Sequence, residues 1–336
     1  MLSIFAYHAH PQLVPGAGIS VDAFFVMSAF LITTLLVRER ERTGGVDLRA
    51  FYRRRVVRLF PAQWLVVPVA AVLAYLVIGP PNVVRSALST LLYYANVRSA
   101  ADPQQMSVFL PTWSLSTEEQ FYVVWPTVLL LLLRLRVRPR AQVALVGVLL
   151  VAATGWLQWS FDHGASESAI AFRPDLRITG ILIGTFAGLL FAYDLVPEGA
   201  RTFVRAGTLL GTAWVVFYLW WPLKLPREVI ITLAIVAACA AFGFLVLQQV
   251  RWPVRAYSLV LENRALVWVG RASYVLYLVH VPALRISAAA LGHPTWQLRM
   301  LVGGTITLAV GWVVHEKVEK PALRFKSRRS LGSTGA

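Results

Sequence analysis

The 336-residue sequence predicts an all-α, polytopic transmembrane helix bundle of about ten spans, with the first helix truncated. Three observations predict it. Only 14% of the residues are charged and 57% are hydrophobic, whereas soluble domains carry roughly 25% charge. The apolar residues gather into blocks of about 17 to 22, enough for a helix to cross a hydrocarbon core of roughly 30 Å. The 32 Lys and Arg fall almost wholly between those blocks, so membrane topology explains the net charge of +16 without a nucleic-acid partner.

In chain order, the spans are expected at 21–37, 61–78, 120–133, 141–160, 177–193, 206–221, 229–248, 266–286 and 299–315. The stretch 1–8 reads as the end of a further helix whose beginning is absent, and 83–97 is apolar but short. Short cytoplasmic loops collect Lys and Arg. If 83–97 does not cross, 23 basic residues fall on one side and 8 on the other. The richer side is therefore cytoplasmic, with both termini on it, and 83–97 re-enters or lies at the outer interface. This places a multi-pass protein in the inner (cytoplasmic) membrane. It reads as one domain over 1–326, followed by a flexible cytoplasmic tail at 327–336. No cleavable signal peptide is visible. The single cysteine, Cys239, supports neither a disulfide framework nor a thiolate metal site, and reads as lipid-facing or packed filler.

Four stretches are too polar for lipid contact. The first runs from His8 and His10 to SVDAFFVMSAFLIT. An imidazole there can take a proton from a hydroxyl near neutral pH; a pair of interfacial histidines is the bland alternative. Two residues apart on a helix, they point about 200° away from each other, which argues against a shared metal. Asp22 opens the next block, either as an N-terminal helix charge or as an acid facing the interior. The second stretch, FYRRRVVRLFPAQW, carries Arg53, Arg54, Arg55 and Arg58. Arg55 and Arg58 share a face if the helix extends backward, and two guanidiniums on one face suit phosphate oxygens. The alternative is a positive-inside signal together with attraction to anionic lipid, and on the residues alone it is the stronger reading.

The third stretch is PTWSLSTEEQFYVVWP. Ser116 and Glu119 have the spacing of a capping box, which gives Glu119 a structural task and leaves Glu118 as the functional acid. The fourth group is dispersed: Arg173, Asp175 and Arg177 in FRPDLRITG, then Tyr277 and His280 in GRASYVLYLVHVP. A histidine inside an apolar helix faces a cavity, a partner or the bundle interior, and a structural interhelical hydrogen bond is as good a reading. On the counted topology His8, Glu118, Asp175 and His280 lie toward the outer face, and the arginine cluster lies inside. That polarity suits a donor entering from the cytosol and an acceptor reached from outside.

At these residues the chain resembles the acyltransferase-3 family of membrane O-acyltransferases. The matching blocks are His8 with SVDAFFVMSAFLIT, then FYRRRVVRLFP, WSLSTEEQFYVVWP, RPDLRITG, GRASYVLYLVHVP and EKPALRF. The Trp-Ser-Leu to Trp-Pro block is the most specific. The resemblance implies transfer of an acyl group from acetyl-CoA or another acyl-CoA, without a metal, to a hydroxyl-bearing acceptor: a sugar, glycolipid, polysaccharide or macrolide. It implies that His8 is the essential histidine and Glu118 the acidic motif residue. Arg55 and Arg58, with Arg54, would bind the donor phosphates, and Asp22, Asp175, Arg177, Tyr277 and His280 would support. The family's basic residue about eleven positions before the histidine would precede Met1, and Ser20 and Ala29 stand where glycine is usual. No hydrolase-like extension follows residue 316.

The expected mechanism has His8 deprotonate the acceptor hydroxyl as it attacks the thioester, with Glu118 orienting the imidazole; a covalent acyl-imidazole is the variant. Two rivals come from other classes. A transporter or flippase of a lipid-linked sugar would be expected to show internal repeats, and no convincing one is visible. A non-catalytic membrane sensor is the other.

Overall fold

The computed structural model describes residues 1–79, 82–221, 227–292 and 294–323, the side chains of 227–233 excepted. The tail expected at 327–336 lies outside them. Helix takes up 87% of the described residues and no strand occurs among them, so backbone pairing closes locally, as lipid requires.

The helices are α1 (Leu2–Ala9), α2 (Ser20–Thr43), α3 (Leu48–Val77), α4 (Val83–Leu91) and α5 (Ala95–Ala101), then a 3₁₀ run (Pro103–Thr112) leading into α6 (Trp113–Arg134). They continue as α7 (Pro139–Asp162), α8 (Glu167–Phe172), α9 (Pro174–Ala192), α10 (Arg201–Trp220), α11 (Arg227–Arg251) and α12 (Arg255–Leu261). Last come α13 (Arg264–Arg271), α14 (Ser273–Ala290), α15 (Trp296–Val314) and a π-helical turn (His315–Glu319).

Among the described residues, eight segments, containing α2, α3, α7, α9, α10, α11, α14 and α15, are long and apolar enough to cross a membrane. The span expected at 120–133 is the 22-residue α6. It carries Glu118 and Glu119 in its second turn and is not among those eight. The span expected at 266–286 is broken at Ala272. Its first part, α13, has arginine at both ends and buries no residue, which is the pattern of a surface helix rather than a crossing one. The stretch 83–97 forms two short helices separated at Tyr93, whose φ is 54°; neither is long enough to span. The capping box expected at Ser116 does not form. The 3₁₀ run passes directly into α6 at Trp113, so Ser116 is a buried interior residue and no free helix start remains for it to cap.

The chain divides into two compact units. The first comprises Met1–His10, Asp47–Trp113 and the described part of Arg264–Ala336. In it α14 packs on α3 and α15. Gln63 Nε2 of α3 donates to Thr90 O at 2.7 Å, and the Thr90 and Thr112 hydroxyls meet at 2.8 Å, tying α3, α4 and the 3₁₀ run together through buried polar groups. The arginine-rich segment belongs to α3, which starts at Leu48 because the Asp47 side chain accepts from Ala50 N at 2.8 Å.

The second unit comprises Pro11–Val46 and Ser114–Asn263. Its core is the contact of α2 with α9. Gly180, Gly184 and Gly188 recur at one-turn spacing along α9; a Cβ at Gly184 would fall on Val26 O, and one at Gly188 would lie 3.0 Å from Phe30 O. Small residues at this spacing let two backbones approach in lipid. At the end of the same contact, Arg177 Nη2 donates to Asp22 Oδ1 at 2.8 Å, with the two side chains only 6% and 0% exposed. Cys239 is fully buried and packs against Gly180, as filler and not at the lipid.

Two outcomes follow for stability. Gly184→Leu is expected to cost at least about 1–3 kcal/mol by overpacking, read as a lowered melting temperature or loss of a monodisperse peak in detergent. Arg177→Gln should cost about 3–5 kcal/mol, because it strands the Asp22 carboxylate. The pair Asp22→Leu/Arg177→Met should recover most of that loss, and a double variant as unstable as the sum of the singles would show that the two charges are not coupled.

Candidate functional site

The first unit holds His8, His10 and His280. His8 is half-buried in the last turn of α1, and its ring centroid lies 5.3 Å from that of His280 at an interplanar angle of 60°. His10 follows the helix in an extended conformation (φ −157°, ψ 106°) and stacks on Trp296 at 5.1 Å. The two N-terminal histidines therefore address different partners.

His280 is fully buried in α14. Its Nδ1 lies 2.7 Å from Tyr277 O. A backbone carbonyl only accepts, so Nδ1 carries the proton and Nε2 keeps a lone pair. That Nε2 is enclosed, with no hydrogen-bond partner among the described residues. Tyr277, one turn earlier, donates its hydroxyl to Pro111 O at 2.9 Å and so fixes α14 against the 3₁₀ run. The pair His8 and His280 thus offers one accessible imidazole and one sealed neutral imidazole side by side.

The arginines lie at the opposite end of the same unit. Arg54, Arg55 and Arg58 are all on α3, where Arg55 and Arg58 are three apart on one face, with Arg55 half-buried and Arg54 and Arg58 exposed. The π-helical turn packs against α3. There His315 Nδ1 lies 2.6 Å from Glu319 Oε2, both residues buried, and Arg58 is near enough for its charge to act on Glu319. Sequence reading passed over His315 and Glu319. The usable signals were the one-turn spacing of the two residues and the position of Glu319 at the head of EKP. π-turns recur at functional sites.

Between these ends, α3, α14 and α15 line an apolar cavity of about 610 Å³, with Val66, Leu73, Val279, Pro282, Ile306 and Val310 among its walls. Its one hydroxyl, that of Ser287, is engaged with Ala283 O at 2.6 Å. The cavity can hold an apolar group but supplies no acid or base.

The second unit holds Glu118, Asp22 and Asp175. Glu118 Oε2 accepts from Tyr122 Oη at 3.1 Å and from Ser28 Oγ at 3.5 Å, so α2 and α6 fix it jointly. Asp22 and Arg177 form the buried pair described above. Asp175 is taken up elsewhere: Arg173 binds it at 2.7 Å and 3.1 Å, and Trp156 Nε1 donates to it at 2.9 Å. Asp175 and Arg177, two residues apart, therefore serve different contacts, one half-exposed and one sealed.

Comparison with known proteins agrees with these motifs. The model of the acyltransferase domain matches residues 1–316. The peptidoglycan O-acetyltransferase OatA of Listeria monocytogenes is 26% identical, the match covering 92% of this chain and 52% of the relative. The O-acetyltransferase OatA of Staphylococcus aureus is 27% identical over 84% of this chain and 49% of its own length. The chain thus spans about half the length of the curated relatives it matches. No solved structure matches it. The matched domain covers nearly the whole helical chain, and the chain belongs to the acyltransferase-3 family.

Proposed function

We propose that this chain is a membrane O-acetyltransferase that moves an acetyl or other short acyl group from acyl-CoA to a carbohydrate hydroxyl, with the glycan of the bacterial cell wall as the first acceptor to test. The observation that carries this reading is the half-buried His8 beside the buried His280, within a chain whose family is acyltransferase-3. The names of the relatives support the acetyl group and the glycan.

His8 acts as the base. Its imidazole takes the proton of the acceptor hydroxyl while that oxygen attacks the thioester carbonyl, and the CoA thiolate leaves with the electron pair of the broken C–S bond. His280 keeps a neutral, fixed ring beside it. Glu118, held by Ser28 and Tyr122, is the acidic catalytic residue of the proposal. Arg55 and Arg58, with Arg54, bind the CoA phosphates through charge-assisted hydrogen bonds. The α15 helix supports placing donor phosphates and acceptor hydroxyl at different membrane faces. Its rise of about 1.5 Å per residue puts roughly 30 Å between Arg299 in its first turn and Glu319 near Arg58, close to the thickness of a bilayer core. The termini and the arginine end face the cytoplasm in this reading.

The test is transfer of radiolabelled acetyl from acetyl-CoA to cell-wall glycan fragments by the purified chain in proteoliposomes. His8→Ala should lower transfer by about 10²- to 10⁴-fold with insertion unchanged; undiminished transfer would end the proposal. Arg55→Gln/Arg58→Gln should raise KM for acetyl-CoA about 10²- to 10⁴-fold while leaving KM for the glycan within about twofold, since each of the two lost charged hydrogen bonds costs about 1.5–3 kcal/mol. An unchanged donor KM would remove the phosphate assignment.

A further inference from the structure

Two arginines of the first unit stand at the histidine end and take no part in the donor chemistry proposed above. Arg285 lies on α14, five residues beyond His280, and Arg299 lies in the first turn of α15. Arg285 Nη1 donates to Ser107 O at 3.0 Å, and Arg299 Nη2 donates to Ala9 O, the carbonyl of the residue between His8 and His10. Arg285 is near enough to both Arg299 and His8 for its charge to act on each.

Arg285 is exposed and Arg299 half-buried, and like charges this near one another repel unless an anion joins them. Here neither arginine forms an ion pair among the described residues. Each is held instead by a neutral backbone carbonyl, one from the 3₁₀ run and one from α1. Ser107, the residue that supplies one of them, has φ 46° and ψ −129°, a strained conformation for a non-glycine residue that the surrounding contacts must maintain. Arg299 Nε is enclosed and has no hydrogen-bond partner among the described residues. Each guanidinium uses only part of its five-donor fork on its carbonyl, so planar charged donors remain. Charged donors of this kind, each fixed by a carbonyl and without a carboxylate partner among the described residues, are what a carboxylate or phosphate binds.

We propose that Arg285 and Arg299 form an oxyanion-binding site beside His8 that receives a carboxylate or phosphate carried by the acceptor, so that the acceptor is an acidic carbohydrate. The inference rests on the transferase reading for its choice of ligand, but the site itself does not. Anchoring the acceptor's charge one residue from His8 places a neighbouring hydroxyl of the same sugar within reach of the base, and it disfavours neutral sugars, which leave the two charges unmatched.

The full chain in phosphatidylcholine nanodiscs should bind a carboxyl-bearing cell-wall glycan fragment about tenfold or more tighter than the same fragment with its carboxyls reduced to alcohols. Arg285→Gln and Arg299→Gln, which keep an N–H for the backbone carbonyl but remove the charge, should each weaken binding of the acidic fragment about tenfold. The double variant should bind both fragments alike, and Arg285→Lys/Arg299→Lys, which guards against a folding defect, should retain a preference for the acidic one. No preference in the unaltered protein, or full preference in the glutamine double variant, overturns the proposal. Phosphatidylglycerol nanodiscs separate the other source of an anion: if phosphatidylglycerol abolishes fragment binding and is retained on the protein only when both arginines are present, the site holds a lipid headgroup and the acidic-acceptor inference falls. Arginine-dependent binding of the fragment without transfer of label would leave the anion site standing while the transferase reading failed.

Discussion

Hydrocarbon supplies neither hydrogen-bond partners nor counter-ions, so every charge carried into this protein has to be answered by the protein itself. In the second unit that constraint is met by Asp22 and Arg177, sealed against each other at 2.8 Å. The pair can form only because α9 presents Gly180, Gly184 and Gly188 to α2 and lets the two backbones approach. Its energetic worth relative to an apolar core is small, since desolvation consumes most of the attraction. What it gives is register: a slide of either helix by one turn would strand two buried charges.

Once α2 is fixed, the rest of the second unit is organised around it. Trp125 Nε1 of α6 donates to Thr33 Oγ1 of α2 at 2.9 Å, two turns along the helix from the Glu118 and Tyr122 contact. Glu118 is thereby placed by the helix that carries Asp22. The catalytic role proposed for Glu118 needs such support, because an acid free to rotate loses the geometry that makes it useful.

In the first unit α14 has the corresponding role. It carries Tyr277, His280 and Arg285 on successive turns, each with a defined partner: Pro111 O, Tyr277 O and Ser107 O. Two of these three partners belong to the 3₁₀ run, an irregular segment whose strained Ser107 has no equivalent in a regular helix. The chemistry of the unit is divided between its ends. Imidazoles and one arginine pair stand at one end, and Arg58 with the His315–Glu319 contact at the other. The proposed donor, bearing phosphates, and the proposed acceptor, bearing a hydroxyl, call for such a division.

Composition and block length alone determined that this is an all-α protein with many apolar helices, because a run long enough to cross lipid and free of charge can adopt only one hydrogen-bonding solution there. Local spacing also determined that Arg55 and Arg58 share a face, since helical geometry is set within a few residues. Spacing failed at Ser116, where a capping signal presupposed a free helix start and the 3₁₀ run supplied none. It failed again at Ala272, where a run apolar enough to be taken as one span contains an amphipathic surface helix. Only the tertiary structure decided that Arg177 belongs to Asp22 and Asp175 to Arg173, that His280 stands beside His8, and that Arg285 lies near both His8 and Arg299. In spans apolar on every face no periodicity marks the inward side, and partners as far apart as 155 residues are matched by packing, which no local pattern encodes.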